Sequence, residues 1–249
     1  MYPEESLQSS FEWSSRTVLL LGEEVYGRLT DAHVLVAGLG GVGAYAAEML
    51  CRAGIGSMTI ADGDIVEPGN RNRQLHALIC NEGRPKAEVL AERFRQINPD
   101  LQLTVLNEFL KDKRIEEVLD EKYDYVVDAI DTLSPKVFLI LQSLKNNLKI
   151  ISSMGAGGKT DPSLVQVADI SKSYNCGLAK IVRRQLHKRG IYSGFRVVFS
   201  PEPVIGDTEK TDTEPNKRTR IGTVSYMPAV FGCFCASVVI RELSGKTEN

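Results

Sequence analysis

The sequence predicts an α/β protein: a doubly wound, mostly parallel sheet with helices on both faces and a less regular C-terminal extension of the sheet. Three observations predict it. Short strand-like runs alternate with helix-period segments as far as residue 153, the rhythm of parallel strands joined by crossover helices. The first strong strand runs into a glycine-rich turn that opens directly into a helix. At 249 residues, 43% hydrophobic and 25% charged, the chain can bury one continuous core, so a single domain over 1–249 is expected.

The elements follow in order. Val18, Leu19, Leu21, Val25 and Leu29 approach helical spacing, so a helix over 18–29 leads into the strand 33–37 (HVLVA). After the glycine turn, 42–53 carries Ala44, Ala46, Ala47, Met49 and Leu50, good helix formers able to pack closely on a strand, and Gly54 ends the run. The strand 57–61 (SMTIA) delivers Asp62 and Asp64 at its end. A helix over 85–97, a strand over 101–106, a short charged helix after Asp112 and the strand 123–128 continue the alternation. A helix over 135–146 and a strand over 149–153 complete it; strands over 164–169 and 195–200 make the less regular part. The stretch 203–220 is nearly devoid of apolar residues and reads as a mobile loop.

Bulk properties exclude several function classes. A net charge of -2 provides no global field for nucleic acid or anionic membrane, so any RNA contact must come from a local patch. The best such patch is 180–189 (KIVRRQLHKR), an amphipathic helix presenting Lys180, Arg183, Arg184, Lys188 and Arg189; a solvated helix face is the competing reading. The five cysteines, Cys51, Cys80, Cys176, Cys233 and Cys235, contain no C-x-x-C pair and read as reduced structural thiols. The polar N-terminus is no secretory signal, and the apolar run 227–240 falls short of the roughly 20 residues that span a bilayer, so it reads as a buried helix. A cytoplasmic protein is expected, with no membrane partner.

The chemistry concentrates at the C-terminal end of the sheet, where such folds bind ligands. Gly38-Leu39-Gly40-Gly41-Val42-Gly43 has the strand-to-helix context of a phosphate-binding turn: glycine lets backbone approach a phosphate, and the helix N-terminus offers N–H groups and partial positive charge. Asp62, 19 residues beyond Gly43, stands where an acid takes ribose hydroxyls. The Rossmann-like reading admits a dehydrogenase so far. The clusters that follow, Asn70 to Gln74 and 83–86, are cationic and amide-rich and do not suit nicotinamide stacking. Arg73 and Lys86 are the candidates to neutralise departing pyrophosphate; at ~4 Å and an effective dielectric near 20, one such pair is worth about 4 kcal/mol before desolvation. Surface salt bridging is their competing reading. Asp128 and Asp131 end a strand at i and i+3; Asp131 is the candidate to hold Mg²⁺ with phosphates and water, and capping of the following helix is the competing reading for either.

These motifs together resemble the ubiquitin-activating-enzyme-like family of adenylating enzymes, the ThiF, MoeB and HesA group. The glycine turn, the D-x-D-x-V…N-x-x-R-Q run, the lysine after a short loop and the D-x-x-D strand end stand here as Gly38 to Gly43, Asp62 to Gln74, Lys86, and Asp128 to Asp131. The resemblance implies ATP and Mg²⁺ as cofactors, a nucleotide site of Gly38, Gly40, Gly41, Gly43, Asp62, Asp64, Asn70, Arg73, Gln74, Lys86 and Asp131, and catalytic roles for Arg73, Lys86 and Asp131. It implies one adenylating domain, with a nucleotide-binding part over about 30–155 and a substrate and dimer part over about 156–249. Arg16 matches a basic residue that reaches the partner subunit's ATP, which implies a homodimer; an ordinary surface arginine is the other reading. Gly155-Ala156-Gly157-Gly158-Lys159-Thr160-Asp161-Pro162 and other local phrases are similar to the branch that dehydrates threonylcarbamoyladenosine in tRNA. That branch implies adenylation of this nucleoside's carboxylate and ring closure with loss of AMP. The alternative is adenylation of the C-terminal carboxylate of a ubiquitin-like sulfur carrier. The missing zinc pairs speak against that alternative, and the cysteines do not support a sulfur-transfer partner.

Overall fold

The computed structural model describes residues 12–205, 208–209 and 220–245. In chain order its elements are α1 (Ser15–Leu21), α2 (Glu23–Asp31), β1 (His33–Ala37), α3 (Gly43–Ala53), β2 (Ser57–Ala61), α4 (Lys86–Ile97), β3 (Gln102–Leu106), α5 (Lys113–Leu119) and β4 (Tyr125–Asp128). These are followed by α6 (Leu133–Lys145), β5 (Ile150–Ser153), β6 (Gln166–Asp169), α7 (Gly177–His187), β7 (Arg196–Phe199), β8 (Thr208–Glu209), β9 (Arg220–Ile221) and α8 (Tyr226–Leu243). Seven strands form one sheet in the order β3-β2-β1-β4-β5-β7-β6. Every pairing in it is parallel except that of β6 with β7. The predicted doubly wound sheet is therefore present, and its irregular extension is one antiparallel edge strand.

Alternation along each strand builds two cores. From β1, Val34 and Val36 face α3, α4 and α8, whereas Leu35 and Ala37 face α5, α6 and α7. Burying each of Val34, Leu35 and Val36 contributes roughly 1.5–3 kcal/mol. The apolar run near the C-terminus belongs to the first core. Although α8 is long and apolar enough to cross a membrane by composition, Met227, Phe231, Cys235, Ala236, Val238 and Val239 are buried in the protein. A Cβ at Gly232 would stand 2.4 Å from the Val42 carbonyl oxygen, so the absence of a side chain sets the close approach of α8 to α3.

Three expectations need correction. The helix expected over 18–29 is two, α1 and α2, because Gly22 adopts φ +90°, a conformation L side chains rarely take. The strand expected over 164–169 starts at Gln166; Pro162–Leu164 is a 3-10 turn, with Asp161 accepting the Ser163 N–H. Within the stretch read as a mobile loop, β8 and β9 pair antiparallel, while 206–207 and 210–219 lie outside the described residues.

Candidate active site

The sheet order reverses between β1 and β4, and the crevice outside the carboxyl ends of these strands is where such sheets take ligands. The glycine turn lies there. Gly38 donates its N–H to the Ala61 carbonyl, and Ala129, just past β4, donates to the Ala37 carbonyl, which stitches the turn to both neighbours of β1. Gly38 has φ +87°, and a Cβ on it would stand 2.7 Å from the Ala129 oxygen. At Gly43 a Cβ would fall 1.7 Å from the Gly38 oxygen. Only glycine satisfies both positions. No side chain caps the N-terminus of α3, the end of a helix that favours anions, although the Ala44 N–H already donates to the Gly40 carbonyl.

Around the turn stand the charges singled out in the sequence. Asp62 accepts the Leu39 N–H at 2.6 Å and the Asp64 N–H at 2.8 Å, so this carboxylate braces the turn. Its burial pushes the carboxyl upward against the opposing pull of Lys86 and the two N–H donors. Lys86, 4% exposed at the start of α4, extends its ammonium to Asp64 Oδ2 at 2.8 Å. The backbone oxygen of Arg73 lies 3.3 Å from the Cβ position of Gly41, and the Arg73 guanidinium donates to the Gly69 carbonyl and the Asn72 Oδ1, both at 2.9 Å. Asn70 caps its own loop, its Oδ1 accepting the Glu67 N–H at 3.1 Å. Gln74 is buried, with Nε2 3.8 Å from the Cβ position of Gly40 and Oε1 without a hydrogen-bond partner among the described residues. An orphaned buried acceptor beside an uncapped glycine turn fits a site shaped for a polar ligand.

At the end of β4 the two carboxylates separate. Asp128 is fully buried, binding the Lys136 ammonium at 2.6 Å, the Ser152 hydroxyl at 2.5 Å and the Ile130 N–H at 3.1 Å. It is a structural group. Asp131, three residues on, is exposed. One carboxylate fits a Mg²⁺ that takes its remaining ligands from phosphates and water, the usual donor set of that ion.

A family model described as the ThiF family matches residues 14–249. The chain belongs to the ThiF family. Among its ThiF-family relatives is the tRNA threonylcarbamoyladenosine dehydratase of Bacillus subtilis, 38% identical over 92% of this chain and 93% of that protein. The Escherichia coli tRNA N6-threonylcarbamoyladenosine dehydratase, TcdA, solved in complex with ATP, superposes with a TM-score of 0.87 at 35% identity, covering 99% of this chain and 98% of that one. The Escherichia coli sulfur carrier protein ThiS adenylyltransferase matches less of the chain, 34% identical over 58% of it and 59% of that protein.

Several further groups in this ThiF-family protein gave no signal in the sequence. His76 is 2% exposed, has no partner for either ring nitrogen among the described residues, and is pushed down to about 4 by burial, with Lys86 adding to the effect. Phe109, 62% exposed, lies against Gly63 beside Asp62. Glu202 gathers the 160–161 turn, accepting the Thr160 N–H and hydroxyl and the Asp161 N–H, each at 3.0 Å; these donors, the Asp161 N–H foremost, hold its carboxyl below the usual range. Tyr226 donates to the Thr160 carbonyl at 2.8 Å, and Asn72 donates to the Thr223 carbonyl at 3.0 Å, which ties the stretch containing Arg73 to the C-terminal part of the chain. Arg16 does not join this group within one chain: it is exposed on α1, which packs mainly on α2.

Proposed function

We infer that this ThiF-family protein is an ATP-dependent tRNA threonylcarbamoyladenosine dehydratase. ATP binds with its phosphates over the glycine turn and its ribose toward Asp62. The carboxylate of threonylcarbamoyladenosine attacks the α-phosphorus, the bond to the β-phosphate oxygen breaks, and pyrophosphate leaves. Ring closure within the modified nucleoside then attacks the activated carbonyl and expels AMP; the nucleophile's proton is lost, and AMP carries away one former carboxylate oxygen. The nucleoside is left cyclic and one water lighter. Arg73 and Lys86 neutralise charge that grows on the phosphates, and because these cations are held beside the turn before reaction they need little reorganisation. Mg²⁺ at Asp131, when bound, supplies further charge neutralisation on the phosphates.

The observation that carries this reading is the uncapped glycine turn at the sheet's switch point, bordered by Arg73, Lys86 and the orphaned Gln74 oxygen. Full-length likeness to dehydratases of the same length, against a partial match to the sulfur-carrier enzyme, favours tRNA over a protein carrier. The reading includes a single domain, its nucleotide part over about 30–155 and its substrate and dimer part over about 156–249, working in the cytoplasm where ATP and tRNA are available. It also includes a homodimer in which Arg16 reaches the partner subunit's phosphates. The test incubates the protein with MgATP and tRNA bearing threonylcarbamoyladenosine, digests the RNA and weighs its nucleosides. An ATP-dependent loss of one water mass supports the reading; an unchanged mass alongside carrier-dependent pyrophosphate exchange overturns it in favour of the sulfur carrier.

A further inference from the structure

The carboxyl end of β5 opens into the glycine-rich loop 154–161, and a second layer of chain lies on that loop. Gly158 donates its N–H to the Gly222 carbonyl, and Ile205 donates to the Gly158 carbonyl, both at 2.8 Å. A Cβ at Gly157 would stand 3.3 Å from Ile221 Cγ2, and one at Gly158, where φ is +68°, would stand 2.5 Å from Val204 Cγ1. The missing side chains seat Val204 and Ile221 against the loop, yet both keep an exposed apolar face.

Tyr226 belongs to the same layer. It opens α8 with its ring 43% exposed, and its hydroxyl donates to the Thr160 carbonyl at 2.8 Å, so the ring is held at the edge of the loop. Thr160 is itself fixed, its N–H and hydroxyl both taken by the Glu202 carboxylate. Two residues after Tyr226, Pro228 lies against the glycine turn, its Cβ 2.9 Å from the Cβ position of Gly41. At a helical rise of about 1.5 Å per residue, Tyr226 is about 3 Å from Pro228 along the axis. The other exposed aromatics include Phe109, which lies against Gly63 beside β2, Tyr174, which packs on Phe199, and Tyr192, which packs on His187. An exposed apolar layer bordering a phosphate site offers nothing to a phosphate. It suits a flat heterocycle, which stacks on an aromatic face.

From this arrangement we propose that Tyr226 is the platform on which the adenine base of the modified nucleoside stacks, with Val204 and Ile221 lining its approach. The proposal rests on the dehydratase reading and names a residue that holds that substrate's base. Four bonds separate the adenine N6 from the carboxylate carbon through the carbamoyl and threonine atoms, a reach of roughly 5 Å when extended. That reach matches the short separation between the start of α8 and the glycine turn. A stack made alike in the ground and transition states acts on KM and leaves kcat in place.

The test measures dehydration kinetics on tRNA bearing threonylcarbamoyladenosine for wild type, Tyr226→Ala and Tyr226→Phe, with ATP affinity measured alongside. Tyr226→Ala should raise KM for tRNA roughly 5- to 100-fold, the effect of removing one base–aromatic stack, with kcat and ATP affinity retained. Tyr226→Phe keeps the ring and loses only the tie to Thr160, so its KM should stay near wild type. If Tyr226→Phe is as damaging as Tyr226→Ala, the hydroxyl is structural; that result, or a wild-type KM in Tyr226→Ala, overturns the platform while wild-type dehydration leaves the function standing. Stacking has its own signature. Trp13 is the single tryptophan, so in a Trp13→Phe background Tyr226→Trp supplies one fluorophore. The modified tRNA should quench it, and the same tRNA made abasic at the modified position should not; equal quenching by both overturns the platform. A wild type that leaves the nucleoside mass unchanged overturns the dehydratase reading and the platform with it. Should Tyr226→Ala lose ATP binding through misfolding, Tyr226→Leu carries the same expectation.

Discussion

Lys86 is 4% exposed and reaches a single carboxylate, Asp64, which is itself half open to solvent. A buried ammonium so placed can turn toward phosphates with little rearrangement. Lys86→Ala should therefore reduce ATP-dependent dehydration by roughly 10²–10³-fold, the usual effect of deleting one preorganised charge; an unchanged rate of pyrophosphate release would remove Lys86 from the machinery. His76 makes a different prediction. Its ring titrates at about 4 in the folded chain against about 6.5 unfolded, so the unfolded state binds the extra proton between those values. Stability is then present above about pH 6.5 and is lost as pH falls toward 4, by about 3 kcal/mol in all. Urea unfolding of wild type and His76→Phe at pH 7 and pH 5 checks this: the variant should lose less on acidification, and equal losses would show that another group governs the acid limb. The glycines, Asp62, Arg73 and Lys86 could be singled out in the sequence because each residue type stands in a fixed order along 38–86. His76 and Gln74 gave no comparable signal as orphans, since the lack of a partner is a property of packing and not of spacing.

At the scale of elements, the strands declared themselves through β-branched runs, and the alternation between two cores in β1 follows directly from the side-chain period of two. The ends were less visible. Gly22 breaks one expected helix because its backbone conformation, not its place in the apolar pattern, decides the matter. The division of labour at the end of β4 was equally hidden: Asp128 and Asp131 look alike in the sequence, and only the arrival of Lys136 from α6 and Ser152 from β5 makes one of them structural. Removing one side of a fully buried ion pair costs about 3–5 kcal/mol because the remaining charge is uncompensated. Lys136→Met should lower stability by that order, measured by denaturant unfolding, while the double variant Lys136→Met, Asp128→Asn should recover a substantial part. A single variant as stable as wild type would show that the Asp128–Lys136 pair does not hold α6 to the sheet.

For the whole molecule, the exposed side chains of α1 are the least economical feature of an isolated chain, with Leu19 88% and Leu20 78% exposed beside Arg16. They suit the proposed homodimer, in which each site combines Lys86 of one chain with Arg16 of the other. Leu19→Glu, Leu20→Glu should shift sedimentation to the monomer. Mixing Arg16→Ala with Lys86→Ala chains should restore activity, because one site of each mixed dimer is intact; with random assortment about a quarter of all sites recover. No recovery, with subunit exchange verified, would confine the site to one chain. The buried group of Asp128, Lys136 and Ser152 also has a consequence for descent. No member can be lost singly without stranding a charge or a polar group in the core, so related chains should inherit the three together or replace them together. A survey of relatives that finds Lys136 exchanged for an apolar residue should find Asp128 exchanged in the same lineage, whatever substrate that lineage has come to activate.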